Sequence, residues 1–471
     1  VIGVAVAIQV IAVVDALRWL RVAQREHYIA GSVTRFAWRW WRVGIGLPLR
    51  GRTSKLVWTR RMRVLAFLTV FLHVGVVIAF AALTPLIVAS LISLLLVPAT
   101  VDGALLLATP IEARALRPFV EQATKKLQTI KPTIVGITGS YGKTSTKVVL
   151  AHLVEGTKTV SASPASFNNR AGLARAVNET LSPGTDVFVA EMGTYGPGEI
   201  AALCEWCPPT VSIITAIGPV HLERFGSEDV TLVAKSEILE TASTVILNED
   251  DERLAKLADT IAAAGKKRLM RVSATRVDAD VAVIADDDGG RVYENGKLVG
   301  RVATLPTAAT NVACAVAAAR ALGVPAKDAV ARLANAPVAS HRLETATAAS
   351  GAVVLDDTFN SNPAGARRAL ALLSASGSPG GRKVLITPGM IELGRRQFEE
   401  NAKFATDAAQ VASIVGVVGR TNRKALLKGL AGTSVEVKKF RTRDKAAAWV
   451  RASLTAGDAV LYENDLPDAY K

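Results

Sequence analysis

Gly136-Ile-Thr-Gly-Ser-Tyr-Gly-Lys-Thr-Ser-Thr146 is the stretch from which the rest of this chain is read. Ahead of it, Pro132-Thr-Ile-Val135 is a short apolar run that predicts a buried strand; behind it, Lys143 to Val154 predicts a helix. A glycine-rich turn between a parallel strand and a helix aims backbone N–H groups and the positive helix end at phosphate oxygens. In that setting Lys143 supplies a point charge to the β- and γ-phosphates, and the Thr144 hydroxyl holds Mg²⁺. Gly139, Ser140, Tyr141, Gly142 and Ser145 complete the expected nucleotide cradle. The spacing departs from the usual Walker pattern, because the preceding glycine falls at Gly136 and Ile137 stands in its expected place. An ordinary strand-turn-helix would need glycine only for φ > 0. That leaves Gly-Lys-Thr at the helix start without a packing reason.

Outward from the loop, short apolar strands alternate with helical stretches from about Lys125, the signature of a mainly parallel α/β sheet. Strands are expected at Thr133–Thr138, Asp186–Met192, Val211–Ile217 and Thr244–Leu247, with a small antiparallel insert between Val272 and Leu305. Ala-rich helices follow at Ala308–Leu322 and Ala326–Ala334. A second α/β series runs from Val353–Asp356 through Val384–Thr387, Ile414–Val418 and Val435–Val437 to Ala459–Tyr462, and Asn335–Ser340 reads as the hinge between the two.

Half of the 471 residues are hydrophobic, and the excess is concentrated before residue 110. Val64–Leu83 carries no formal charge and Leu86–Ala108 carries only Asp102, so each is long enough to cross the ~30 Å bilayer core. Thr84-Pro85 separates them as the turn of a hairpin. Val1–Leu17 is a third apolar stretch; a signal peptide is the competing reading, and it lacks a basic n-region and a small-residue cleavage site. The net charge is +15. Twelve Lys/Arg against Glu26 alone lie between Arg18 and Arg63. A basic run between apolar spans is explained by the positive-inside rule, which makes nucleic-acid binding the weaker reading. With Trp19, Trp38, Trp40, Trp41 and Trp58, anionic lipid headgroups are the expected partners. The expected topology is a multi-pass protein of the cell membrane with residues 18–63 and everything after about Ala108 cytoplasmic. Cys204 and Cys207 have CxxC spacing without a second pair to complete a zinc site.

The motifs continue in order. Asn168-Asn169, Glu191-Met-Gly193, His221-Leu-Glu-Arg-Phe-Gly226 and Ala234-Lys-Ser-Glu-Ile238 follow the loop, and Thr310-Asn311, His341-Arg-Leu-Glu344, Asp356-Asp-Thr-Phe-Asn-Ser-Asn-Pro363 and Gly389-Met-Ile-Glu-Leu-Gly394 come after them. Over roughly residues 125–465 this succession resembles the Mur ligases, and within them the MurF type. Glu191, at the end of an apolar strand beside the phosphate loop, is a metal ligand on its own reading, with a cap as the bland alternative.

Hydropathy marks out a membrane region (1–110, with spans near 1–17, 64–83 and 86–108), and the resemblance implies a central P-loop-type ATP-binding domain (111–339) and a C-terminal Rossmann-like α/β domain (340–471). It implies ATP-dependent amide formation through an acyl phosphate in peptidoglycan-type envelope biosynthesis. The partners would be ATP, a carboxylate acceptor (a peptide or a lipid-linked precursor) and an amino acid or dipeptide amine. It further implies two Mg²⁺ ions, with Lys235 carbamylated and acting with His221 on the second. Arg342 would contact phosphate, Asn311 the adenine, and Asp357 and Asn360 the ribose. Two departures concern the acceptor. The membrane region stands where MurF-type chains carry a UDP-sugar domain, and Tyr462-Glu-Asn-Asp465 replaces the usual Lys-Gly-Ser after the last strand. A conventional enzyme of soluble UDP-MurNAc-peptide is one alternative. A membrane-bound P-loop switch that makes no bond is another, disfavoured by His221, Lys235, Arg342 and Asn311.

Overall fold

Short runs of Val, Ile and Ala, buried on both faces and each followed by a turn and a helix, build two mainly parallel sheets. The computed structural model describes residues 1–26, 28–43, 56–164, 167–219, 222–286, 288–339, 344–358 and 361–465. Within it, Val1–Pro118 and Phe119–Asp465 form two compact units.

In the larger unit the first sheet contains β1 (Thr133–Thr138), β2 (Val160–Ala162), β3 (Val187–Glu191), β4 (Val211–Ile214), β5 (Thr244–Asn248), β6 (Arg268–Ser273), β7 (Val281–Asp286), β8 (Gly289–Glu294) and β9 (Lys297–Val302). Their spatial order is β2-β3-β1-β4-β5-β6-β7-β8-β9. Pairing is parallel as far as β7 and antiparallel for β7–β8–β9, which lie within the insert expected between Val272 and Leu305. The strand order reverses beside β1, which is where open α/β sheets open a crevice at their carboxyl edge. The loop after β1, Glu191 at the end of β3 and Thr215 after β4 share that edge.

The helices Lys143–Val154 and Ala309–Ala321 pack into one core with Val135, Ile137, Val189 and Ile213. Every residue from Val312 to Ala319 is buried, since small side chains let this helix lie between the sheet and its neighbour.

The second sheet contains β10 (Glu344–Thr347), β11 (Val353–Asp357), β12 (Lys383–Thr387), β13 (Ile414–Val418), β14 (Glu436–Phe440) and β15 (Ala459–Glu463), in the order β10-β11-β15-β12-β13-β14. Only β10 is antiparallel. β2 and β10 were not expected: one has three residues, and the other is an exposed polar edge, Glu-Thr-Ala-Thr, without apolar alternation.

The smaller unit is helical, with Ile2–Arg25, Ser32–Val43, Arg60–Ala81, Leu86–Leu95 and the start of Val97–Ile130. Ile2–Gln24 and Arg60–Ala81 are long and apolar enough to cross a membrane; Leu86–Leu95 with Val97–Ile130 makes a third only as a pair bent by 63°. The straight span expected over Leu86–Ala108 is thus broken. Pro98 has no N–H to continue the first helix and suits the first turn of the next. The residues that follow Ala108 belong to that second helix, which carries Pro110 and Pro118. Asp102, the charge inside an apolar run, accepts N–H bonds from Gly31 (2.9 Å), Val33 (3.2 Å) and Thr34 (2.7 Å), and so caps the helix Ser32–Val43 inside the basic stretch.

Candidate active site

The phosphate loop is held open by two left-handed glycines, at φ +147° for Gly139 and +82° for Gly142. A Cβ on Gly139 would lie 2.0 Å from Thr215 Oγ1, and one on Gly142 would lie 2.1 Å from Asn311 Oδ1. Both positions therefore need glycine for space as well as for backbone angle. Ser140 N donates to Ala216 O at 2.7 Å, and the Thr215 hydroxyl donates to Tyr141 O, which ties the loop to the strand end beside it. Lys143 opens the helix and folds back, its Nζ donating to Gly139 O at 2.7 Å.

Glu191, fully embedded at the end of β3, is the hub of the polar cluster. Its Oε2 accepts from Thr144 Oγ1 and Lys147 Nζ, both at 3.0 Å, and its Oε1 accepts from Asn168 Nδ2 at 3.2 Å. Burial alone would raise its pKa, but Lys147 and Lys143 outweigh it and hold the carboxyl below the usual range. An ionised carboxylate touching the Thr144 hydroxyl is a donor pair that fits Mg²⁺, which takes oxygen ligands and one or two carboxylates. Lys235 lies on the helix Glu228–Ser236 and is 4% exposed. Its burial, and then the charge of Lys143, push its pKa well down, so the amine tends toward the neutral form. The solvated surface lysine that its helix position allows is excluded by that burial.

Two cavities divide the predicted residues. A small one of about 70 Å³ is lined by Gly139, Ser140, Lys143 and Lys235, with Asn168 and Glu199 on its wall. A larger one of about 370 Å³ is lined by Tyr141, Gly142, Ser145, Asn311 and Asp357. His221, Arg342 and Asn360 lie outside the described residues. Among those described, no group of three or more His, Cys, Asp or Glu is gathered to hold a metal. Cys204, Cys207 and Cys314 are buried free thiols.

Three side chains here were not anticipated. Lys147 repeats Lys143 one helical turn later, an i,i+4 signal readable in the sequence. Arg368 lines the larger cavity. Glu463, fully buried on β15, accepts from Thr387 Oγ1 at 3.1 Å and from Ser361 Oγ, and burial pushes its pKa up to about 8.

Comparison with known proteins gives the family and the fold. Residues 137–321 match the Mur ligase middle domain and residues 341–462 the Mur ligase glutamate ligase domain. The UDP-N-acetylmuramoyl-tripeptide–D-alanyl-D-alanine ligase of Mycobacterium tuberculosis is 32% identical over 362 residues, covering 70% of this chain and 69% of that protein. The chain belongs to the Mur ligase family. Among solved structures, this Mur ligase shares its fold with MurF from Acinetobacter baumannii (TM-score 0.64, 24% identity, 74% of this chain and 77% of that one). MurF from Thermotoga maritima in complex with ADP is similar too (TM-score 0.63, 23% identity, 74% and 80%). The expected α/β class and ATP-dependent C–N ligase chemistry follow from that membership.

Proposed function

We propose that this Mur ligase is a membrane-associated enzyme that joins the carboxylate of a peptidoglycan-type precursor to the amine of an amino acid or dipeptide, with D-alanyl-D-alanine the first amine to test. The observation that carries the reading is the small cavity in which the phosphate-loop Lys143 and the buried Lys235 meet. The charge of Lys143 suits a site where a carboxylate and a γ-phosphate must approach each other despite like charge, and the buried Lys235 amine stands beside it.

In this reading an acceptor carboxylate oxygen attacks the γ-phosphorus, the bond to the bridging oxygen breaks, and ADP leaves. The amine then attacks the acyl carbon. The resulting tetrahedral centre collapses with loss of inorganic phosphate, and the amine gives up a proton. Lys143 holds the transferred phosphoryl group, and the paired cavities keep acceptor and nucleotide in line. Thr144 and Glu191 would hold Mg²⁺, which neutralises phosphate charge. Lys235, as a neutral amine, would take up CO₂ with loss of one proton to become a carbamate; it would serve a second ion together with His221. Asn311, Asp357, Asn360 and Arg342 would contact the nucleotide.

The acceptor is proposed to be lipid-linked, with the apolar spans before about Ala108 in the cell membrane and the basic stretch 18–63 and everything after about Ala108 on its cytoplasmic side. Two helices of spanning length and the cluster of cations between Arg18 and Arg63 support this. The soluble UDP-linked peptide named for the M. tuberculosis relative is the second reading. Rates measured on the full chain in lipid nanodiscs separate them. A kcat/KM at least tenfold higher for the lipid-linked acceptor supports the first, and equal or higher values for the soluble nucleotide-linked peptide overturn it.

A further inference from the structure

The larger cavity is acidic except at one point. Its charged lining residues, among those described, are Asp250, Asp251, Asp357 and Arg368. Asp250 is committed within its own domain, accepting from Ala274 N and Thr275 Oγ1, both at 2.7 Å. Asp251 likewise accepts from Ile217 N at 2.9 Å and Arg253 N at 3.0 Å, capping the next helix. Arg368 is different. It is half-buried on the helix Pro363–Ala375, and among the described residues its guanidinium makes no hydrogen bond or ion pair, feeling only the nearby charge of Asp357. Its neighbour Arg367 is exposed, with Nε bonded to Pro363 O at 3.1 Å. The helical step of about 100° between consecutive residues sends one to solvent and the other to the cavity.

A guanidinium at a cavity wall with no protein partner leaves its donors for a ligand to meet. The nucleotide supplies that. Lys143 and Gly139 line the small cavity, whereas Gly142 and Ser145 of the same loop line the large one. A triphosphate whose γ-group sits by Lys143 therefore runs its α-phosphate and nucleoside into the larger space. We propose that Arg368 is a further nucleotide-binding residue, contributed by the C-terminal domain, whose guanidinium engages the α-phosphate across the cavity from Gly142. Planar, bidentate geometry suits a guanidinium to a phosphate better than an ammonium. The proposal rests on the reading of this cavity as the nucleotide site. It also means that the two α/β domains hold the nucleotide jointly.

The test is ADP affinity of the full chain, wild type against Arg368→Ala, Arg368→Lys and Arg367→Ala, with thermal unfolding of each as a check on folding. The expected result is a loss of at least tenfold for Arg368→Ala, partial recovery in Arg368→Lys, and wild-type affinity for Arg367→Ala. Equal losses at 367 and 368 would reduce the effect to general charge and overturn the contact. Unchanged affinity in a folded Arg368→Ala overturns it as well. A wild-type chain that binds no ADP would instead overturn the nucleotide reading itself.

Discussion

Lys147 Nζ lies 3.0 Å from Glu191 Oε2, with the two side chains 4% and 3% exposed. The carboxylate expected to meet a metal is thus already held, ionised, by a buried cation one turn beyond the phosphate-loop lysine. Removing one member of a buried pair strands the other, at a cost of about 3–5 kcal/mol, whereas replacing both with apolar groups costs far less. Lys147→Met should therefore lower stability by an amount in that range, and Lys147→Met/Glu191→Leu should lose much less than the sum of the single changes. Urea unfolding of the four variants measures the coupling; additive losses would show that the pair is not coupled.

The same substitution has a consequence for pH. Burial pushes the Glu191 carboxyl up and Lys147 is the larger charge holding it down. Lys147→Met should move the acid limb of the rate profile to higher pH. A limb that stays in place would separate Glu191 from the rate.

Gly142 and Gly184 form a matched pair for the loop. Both have positive φ, +82° and +85°, but a Cβ at Gly184 meets nothing within 4 Å while one at Gly142 collides with Asn311. Gly184→Ala should cost only the left-handed backbone penalty, about 1–2 kcal/mol. Gly142→Ala should add the displacement of Asn311 and lose ADP affinity by tenfold or more. Equal ADP affinity in the two variants would contradict the Gly142–Asn311 packing.

Glu463 gives a stability signature. Its pKa rises from 4.5 to about 8 on folding. In that window the native state binds a proton that the unfolded state has released, so stability falls as pH rises from about 4.5 to 8 and levels off beyond. Glu463→Gln keeps the shape without the charge and should flatten this part of the Tm–pH curve, with its largest gain above pH 8. A curve of unchanged slope would count against the buried acid.

Much of this was legible in the sequence, and its omissions have physical causes. β1, β13 and the helix Lys143–Val154 fall where apolar runs and the loop glycines put them. The span Leu86–Ala108 reads as one helix by hydropathy because that measure sees composition and not the missing N–H of Pro98. The meeting of Thr144 with Glu191 was readable because the loop glycines place Thr144 at the start of the helix and an apolar strand ends at Glu191 beside it. Arg368 and Glu463 were not: Arg368 reaches the cavity wall from a helix of the second α/β series, and Glu463 is buried through a pairing of β11 with β15 that no short window contains. Burial separated Lys235 from a surface lysine, which its helical position alone does not do.

Lys235 tests the metal side of the account. Lys235→Ala should be nearly inactive and regain part of its rate with short carboxylic acids that replace carbamate oxygens. Wild-type protein in ¹³C-bicarbonate should show a carbamate carbon signal that the variant lacks. A fully active Lys235→Ala enzyme would remove the residue from the site.

The central claim, amide formation through an acyl phosphate, is tested most directly by following oxygen. An acceptor labelled with ¹⁸O in its reacting carboxylate is turned over with ATP and D-alanyl-D-alanine, using the UDP-linked tripeptide and its lipid-linked form in parallel, and the released phosphate is weighed by mass spectrometry. The account requires one labelled oxygen in the phosphate for each amide formed, and none of either product with Lys143→Ala. Amide formed with unlabelled phosphate, or ADP released at the same rate without any amine, would contradict it.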